Sequence, residues 1–201
     1  MSTGKIHLGG CGGGPMEFRS ALKKSVSSIN QAITLNYALE NKVDTGSLEK
    51  FATMFTKRVS TIDVRYLEVA PYKVKEWKHY DDPHTYTYKT VKHPYKEYSK
   101  KEIRDFKLSE YKGKPIIQTA DGMLFMFKKF APGCKFVDTE NPENSDCIMV
   151  VDVNGIKKPN EMTTQSQRPK DRYEVVIWGN ENKATVLNKE QQKVIFDKPL
   201  Q

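Results

Sequence analysis

The chain has 201 residues, which suits one domain with a sizeable core or one domain carrying a large insertion. Hydrophobic residues make up 37% and charged residues 29%, so the core is predicted to be modest for this length. No apolar run reaches the about eighteen residues that a membrane-spanning helix requires, and the net charge of +8 admits nucleic acid or an anionic surface as partner.

Residues 1–15 contain no apolar stretch of the kind that forms the centre of a signal peptide. The run Gly9-Gly-Cys-Gly-Gly-Gly14 within them has no packing logic, and the segment reads as an expression leader or a flexible extension. A phosphate-cradling glycine loop would need a strand before it, and none precedes. Cys11, alone among these glycines, would be an exposed free thiol.

Phe18, Leu22, Val26, Ile29, Ile33 and Tyr37 recur at three- and four-residue steps, which predicts an amphipathic helix over about 17–40. Ser20, Ser25, Ser27, Ser28, Asn30 and Gln31 fill much of its polar side. Turn residues occupy 41–46. Ser47 then offers an N-cap, and Leu48, Phe51, Met54, Phe55 and Val59 give a second, short helix over about 47–60.

Residues 63–114 differ in character. Seven of the ten tyrosines lie between Tyr72 and Tyr111, together with eleven lysines and Arg104 between Lys73 and Lys114. No helical period is sustained, although Tyr86–Val91 suits a strand. The stretch is expected to be a long, partly ordered basic insertion in a single domain spanning 16–201.

Strands dominate from Lys114 onward. Pro115–Thr119 and Met123–Phe127 flank Ala120-Asp121-Gly122, and Asp-Gly between apolar runs is a strong hairpin signal. Further strands are predicted at Cys147–Val153 and Tyr173–Trp178, and more weakly at Ala184–Leu187 and Lys193–Phe196. Helices first and an antiparallel meander second give an α+β fold, with the N-terminal amphipathic helix and the short second helix packed on an antiparallel β-sheet.

Catalytic signals are sparse. His79, Asp81, Asp82, His84 and His93 resemble a zinc set, but their spacing is irregular and a solvated loop accounts for them more simply. No Ser-His-Asp order, paired-carboxylate motif, P-loop or Cys-x-x-Cys occurs, and the chain is expected not to be an enzyme.

The stretch richest in meaning is Asp146–Asn160 followed by Asp171–Trp178. It runs as an apolar strand, an Asp-x-Asn-Gly turn at Asp152–Gly155, a polar loop holding Pro159-Asn160, and a second apolar strand opened by Asp171. That order of pieces resembles the C-terminal half of bacterial type IV pilin-like proteins, the pilins and the pseudopilins of type II secretion. Phe18–Ile33 is similar to the outer half of their N-terminal helix. The resemblance covers about 17–60 and 115–178 and leaves 63–114 unaccounted for. The Phe-Thr-Leu-Ile-Glu type processing motif and the apolar spine after it are absent, which in this family implies a head whose spine has been removed.

What the resemblance implies is a pilin-like fold and a structural role, as a subunit, suited to a minor one, of an exported pilus-like or secretion filament at the cell surface or in the periplasm. Neighbouring subunits would meet the Phe18, Leu22, Val26 and Ile29 side of the helix, and membrane contact would come only through the missing N-terminal segment. Pilins often carry a disulfide in this part of the head, which points to Cys134 with Cys147, two buried free thiols being the alternative.

Some pseudopilins hold calcium in their C-terminal loops, and Asp152, Asn154, Asn160 and Asp171 offer hard oxygen ligands for it. Ile156 stands where an EF-hand loop would place a ligand. In the alternative, Asp152 and Asn154 hydrogen-bond their own turn while Gly155 supplies a positive φ.

Tyr72, Lys73, Lys75, Trp77, Tyr86, Tyr88, Lys89, Lys92, Tyr95 and Lys96 interleave aromatic rings with cations. Such a surface suits DNA or another anionic partner, so the alternative function is a nucleic-acid-binding module, as in DNA uptake. A solvated decoration of the head explains the same composition.

Overall fold

The computed structural model describes residues 15–41, 43, 45–66, 72–77, 86–91, 96–97, 111, 113–164, 169–187 and 189–196. The glycine-rich stretch with Cys11 and the His79–His93 cluster lie outside these residues.

Helix α1 spans Pro15–Glu40, 26 residues and so roughly 39 Å. Proline suits its first turn because the fixed φ is already helical and the missing N–H would have no helical partner there. Asn41, at φ 53, ends it in the left-handed conformation. Leu22, Ser25, Ile29, Ala32, Ile33 and Asn36 are buried at helical spacing and form its inner face. Helix α2, Leu48–Arg58, starts where Ser47 caps it, the Ser47 hydroxyl accepting from the Lys50 N–H at 3.1 Å.

Both helices cover one face of a seven-stranded sheet of order β4-β1-β5-β6-β7-β8-β9. The strands are β1 Thr61–Tyr66, β4 Lys96–Glu97, β5 Pro115–Thr119, β6 Leu124–Phe130, β7 Cys147–Asp152, β8 Arg172–Trp178 and β9 Lys183–Val186. Six of them run antiparallel to their neighbours, and the two-residue β4 lies parallel to β1. Strands β2 (Tyr72–Trp77) and β3 (Tyr86–Val91) pair only with each other, as a separate antiparallel ribbon. A third helix, α3 (Lys189–Phe196), follows β9. Among the described residues this is an α+β fold of three helices on a largely antiparallel sheet.

Phe51 and Phe55 of α2 meet Phe125, Phe127 and Phe130 of β6, with neighbouring rings 5.0 to 6.4 Å apart. These contacts seat α2 on the middle of the sheet. The opposite face is buried too. Tyr111 and Met162 cover Ile116, Leu124, Met126 and Val150, while Val137 and Trp178 pack against Ile148, Val176 and Leu187. Burial on both faces explains why β7 to Val151 and β8 from Val175 read as apolar runs instead of alternating.

Two expectations need correction. The sheet begins at Thr61, not near Lys114. Ile62, Val64 and Tyr66 alternate with polar residues as a strand should, and β1 pairs along its length with β5. The presumed insertion therefore contains an integral strand of the main sheet. Lys193–Phe196 is helical, because it closes α3, where Gln191 and Ile195 are buried one helical turn apart.

Strand β9 is the last of the sheet, and its outer edge is closed by a side chain. The Asn30 amide nitrogen donates to the Ala184 carbonyl at 2.9 Å, and the Ala184 N–H donates to the Asn30 carbonyl oxygen at 2.9 Å. One helical asparagine thus makes the two bonds that a further strand would make.

Candidate functional site

The segment that carries the family resemblance folds into one connected anchor. Antiparallel register sets Asp152, at the end of β7, opposite Arg172, at the start of β8. The Arg172 Nε donates to Asp152 Oδ2 at 2.7 Å, with the Asp152 side chain fully buried. The other Asp152 oxygen accepts the Asn154 N–H at 3.2 Å, while the Asn154 amide donates to the Lys158 carbonyl at 3.0 Å. Asp171 then collects the returning chain, its two oxygens accepting the Asn160 and Glu161 N–H groups at 2.7 and 2.8 Å. Between them the Lys158–Pro159 peptide is cis, and Gly155, at φ +69, passes so close to the Gly122 carbonyl that a Cβ there would sit 2.7 Å from its oxygen.

Tyr173 completes the group from the other side of the strand. Its hydroxyl meets the Ser25 hydroxyl at 2.7 Å in the core, and Ser25 also donates to the Leu22 carbonyl. Three consecutive residues thus hold three different parts of the fold: Asp171 the loop, Arg172 the neighbouring strand, Tyr173 the helix.

Electrostatics follow from burial. Desolvation, with a further contribution from Asp171, raises the Asp152 pKa to about 7 against the opposing pull of Arg172. Burial also raises Asp171, although the two backbone N–H groups oppose the shift. The Tyr173 phenol is held protonated by its burial. At the β5–β6 turn, partial burial pushes Asp121 upward, but the Thr119 hydroxyl and Lys24, 3.1 Å away, outweigh it and leave its pKa lowered.

The four residues considered for calcium lie together, and N–H donors engage both carboxylates, Arg172 and Asn154 on Asp152, Asn160 and Glu161 on Asp171. The geometry is that of a hydrogen-bonded loop anchor, with Asp152 and Asn154 bonding their own turn and Gly155 at positive φ. Among the described residues, no three His, Cys, Asp or Glu side chains form a metal-binding group.

Cys134 and Cys147 form a disulfide with Cα atoms 5.3 Å apart, both side chains buried. It sits at a junction. The Gly133 N–H donates to the Thr45 carbonyl in the α1–α2 turn at 2.6 Å, and the Cys134 carbonyl accepts the Gly179 N–H of the β8–β9 turn at 2.9 Å. A Cβ on Gly179 would lie 1.9 Å from the Gly133 carbonyl oxygen, so only glycine fits that crossing.

Of the proposed binding surface, Tyr72, Lys73, Lys75 and Trp77 lie on β2, Tyr86, Tyr88 and Lys89 on β3, and Lys96 on β4. Lys92 and Tyr95 fall outside the described residues. The helix side expected to meet other subunits is turned inward. Leu22 and Ile29 are fully buried, and Phe18 and Val26 pack against the same core. The large apolar side chains that α1 exposes are Leu35, Tyr37 and Leu39.

Among the described residues, two hollows mark the surface. One of about 350 Å³ lies between α1, the end of α2 and the β5–β6 turn, lined by Lys24, Ser28, Gln31, Arg58 and Asp121. Another, of about 690 Å³, lies over Glu174 between Glu143, Thr163, Glu190 and Gln191. Lys128 bridges Glu174 at 2.8 Å and Glu143 at 3.6 Å beside it.

Arg172, Ser25 and Asn30 were not singled out by the sequence as anchoring residues. No local pattern marks Arg172, which stands between Asp171 and Tyr173 ahead of the apolar run, and strand register supplies its partner. Among the described residues, no helix is long and apolar enough to cross a membrane. Comparison of the chain with protein-family models, curated proteins and solved structures gives no match.

Proposed function

We propose that the chain is the head of a structural subunit of an exported filament of the type IV pilus or type II secretion kind. The observation that carries this reading is the way α1 is fastened. Ser25 ties it to β8 and Asn30 to β9, so a long helix is fixed along a sheet, while Leu35, Tyr37 and Leu39 remain on its outer surface. A helix held this rigidly is suited to carry a head on a polymerising spine. The Asp152–Arg172 pair, with Asp171 accepting the Asn160 and Glu161 N–H groups, closes the loop between β7 and β8, as a scaffold requires.

Sequencing the mature N-terminus of the protein from its native cells tests the reading. An apolar segment of about twenty residues ahead of α1 is expected. A mature protein that begins within residues 1–15 and never enters a sedimentable filament would overturn it.

A further inference from the structure

We infer that the β2–β3 ribbon is a grip for single-stranded nucleic acid, a function that does not depend on the filament reading. The ribbon is a sheet of its own, hydrogen-bonded to no strand of the seven-stranded sheet. Four of its twelve residues are aromatic (Tyr72, Trp77, Tyr86 and Tyr88), against 10% for the chain. Three more are lysines, Lys73, Lys75 and Lys89, set against the single acidic residue Glu76.

Backbone register orders these residues. Trp77 pairs with Tyr86 at one end, Lys75 with Tyr88 in the middle, and Lys73 with Thr90 beyond. Aromatic and cationic positions therefore succeed one another along the ribbon. Alternation of this kind is what a single strand needs, because any base offers a face for stacking and its phosphates need cations at short intervals. The six paired positions span about 17 Å, enough for about five nucleotides at the stacked spacing of ~3.4 Å. A duplex hides its base faces and would use only the lysines, so the aromatic content favours the single strand.

The test uses the full chain and fluorescence anisotropy with a labelled oligonucleotide of about fifteen nucleotides, single-stranded or annealed. The single strand should bind more tightly than the duplex. Lys73 and Lys75 share one face of the ribbon with Trp77, Tyr86 and Tyr88, and two phosphate contacts predict an affinity that falls about sevenfold between about 50 and about 200 mM salt. K73E/K75E should abolish both the affinity and the salt slope, while K73R/K75R should keep both. W77A and Y88A should each weaken binding at least about fivefold and leave the slope unchanged. Charge reversal at Lys157 and Lys158 is the control and should change affinity less than about twofold. Unchanged thermal melting and an intact Cys134–Cys147 disulfide in each variant exclude misfolding. Duplex bound as tightly as single strand, an affinity indifferent to salt, or equal loss in the control overturns the inference, and none of these results bears on whether the chain enters a filament.

Discussion

At the scale of single residues, Asp152 sets how the fold responds to acid. Its folded pKa, raised to about 7 from 3.8, means that the native state holds this proton more tightly than the unfolded chain does. Its contribution to stability is therefore greatest below about pH 4 and falls as pH rises towards 7, and Asp171 shifts in the same direction. Denaturant midpoints should decline across this window, and D152N should reduce that decline by about half or more. An unchanged slope in D152N would remove Asp152 as its source. Asn30 gives a second prediction. N30A leaves the Ala184 N–H and carbonyl without their partner and should cost roughly 1–3 kcal/mol in urea unfolding. Q31A, exposed one residue further on, should stay within about 0.5 kcal/mol of the wild type.

Elements were legible in the sequence where a period lasted long enough. Six apolar positions announced α1, and an Asp-Gly between apolar runs announced the β5–β6 hairpin, whose Thr119 N–H does bond the Met123 carbonyl at 3.0 Å. The strand β1 was hidden because no turn signal separates it from the tyrosine- and lysine-rich stretch behind it. In α3, Val194-Ile-Phe196 suits strand or helix equally, and only packing against α1 decides. The candidate site was legible as an order of pieces, because turn residues and strand ends are local. Its bonds were not, since Asp152 with Arg172 and Ser25 with Tyr173 join residues far apart in sequence. The disulfide loop supplies this scale's prediction. Opening a loop of this length with C134S/C147S should lower stability by roughly 3 kcal/mol in the chain-entropy model. Hydrogen exchange should rise most at the Gly133 and Gly179 amides, which the loop holds against Thr45 and Cys134. Uniform exchange throughout would mean that the disulfide does not act locally.

For the whole molecule, the division of α1 into a buried face and an exposed one separates folding from assembly. Leu35 and Leu39 are 47% and 63% exposed, so L35S/L39S should leave the melting temperature nearly unchanged. In the proposed filament the same variant should lose incorporation at least severalfold, as measured by the fraction of subunit recovered in sheared fibres. Full incorporation would show that these side chains lie outside the contact between subunits.

The fastening of α1 has a mechanical consequence. A pull along the helix axis reaches the sheet through the Ser25–Tyr173 bond, the paired bonds of Asn30 with Ala184, and the buried face between them. These attachments lie side by side under the load, so the helix must shear from all of them together instead of peeling off one bond at a time. A helix fastened this way passes tension to the sheet with little elongation.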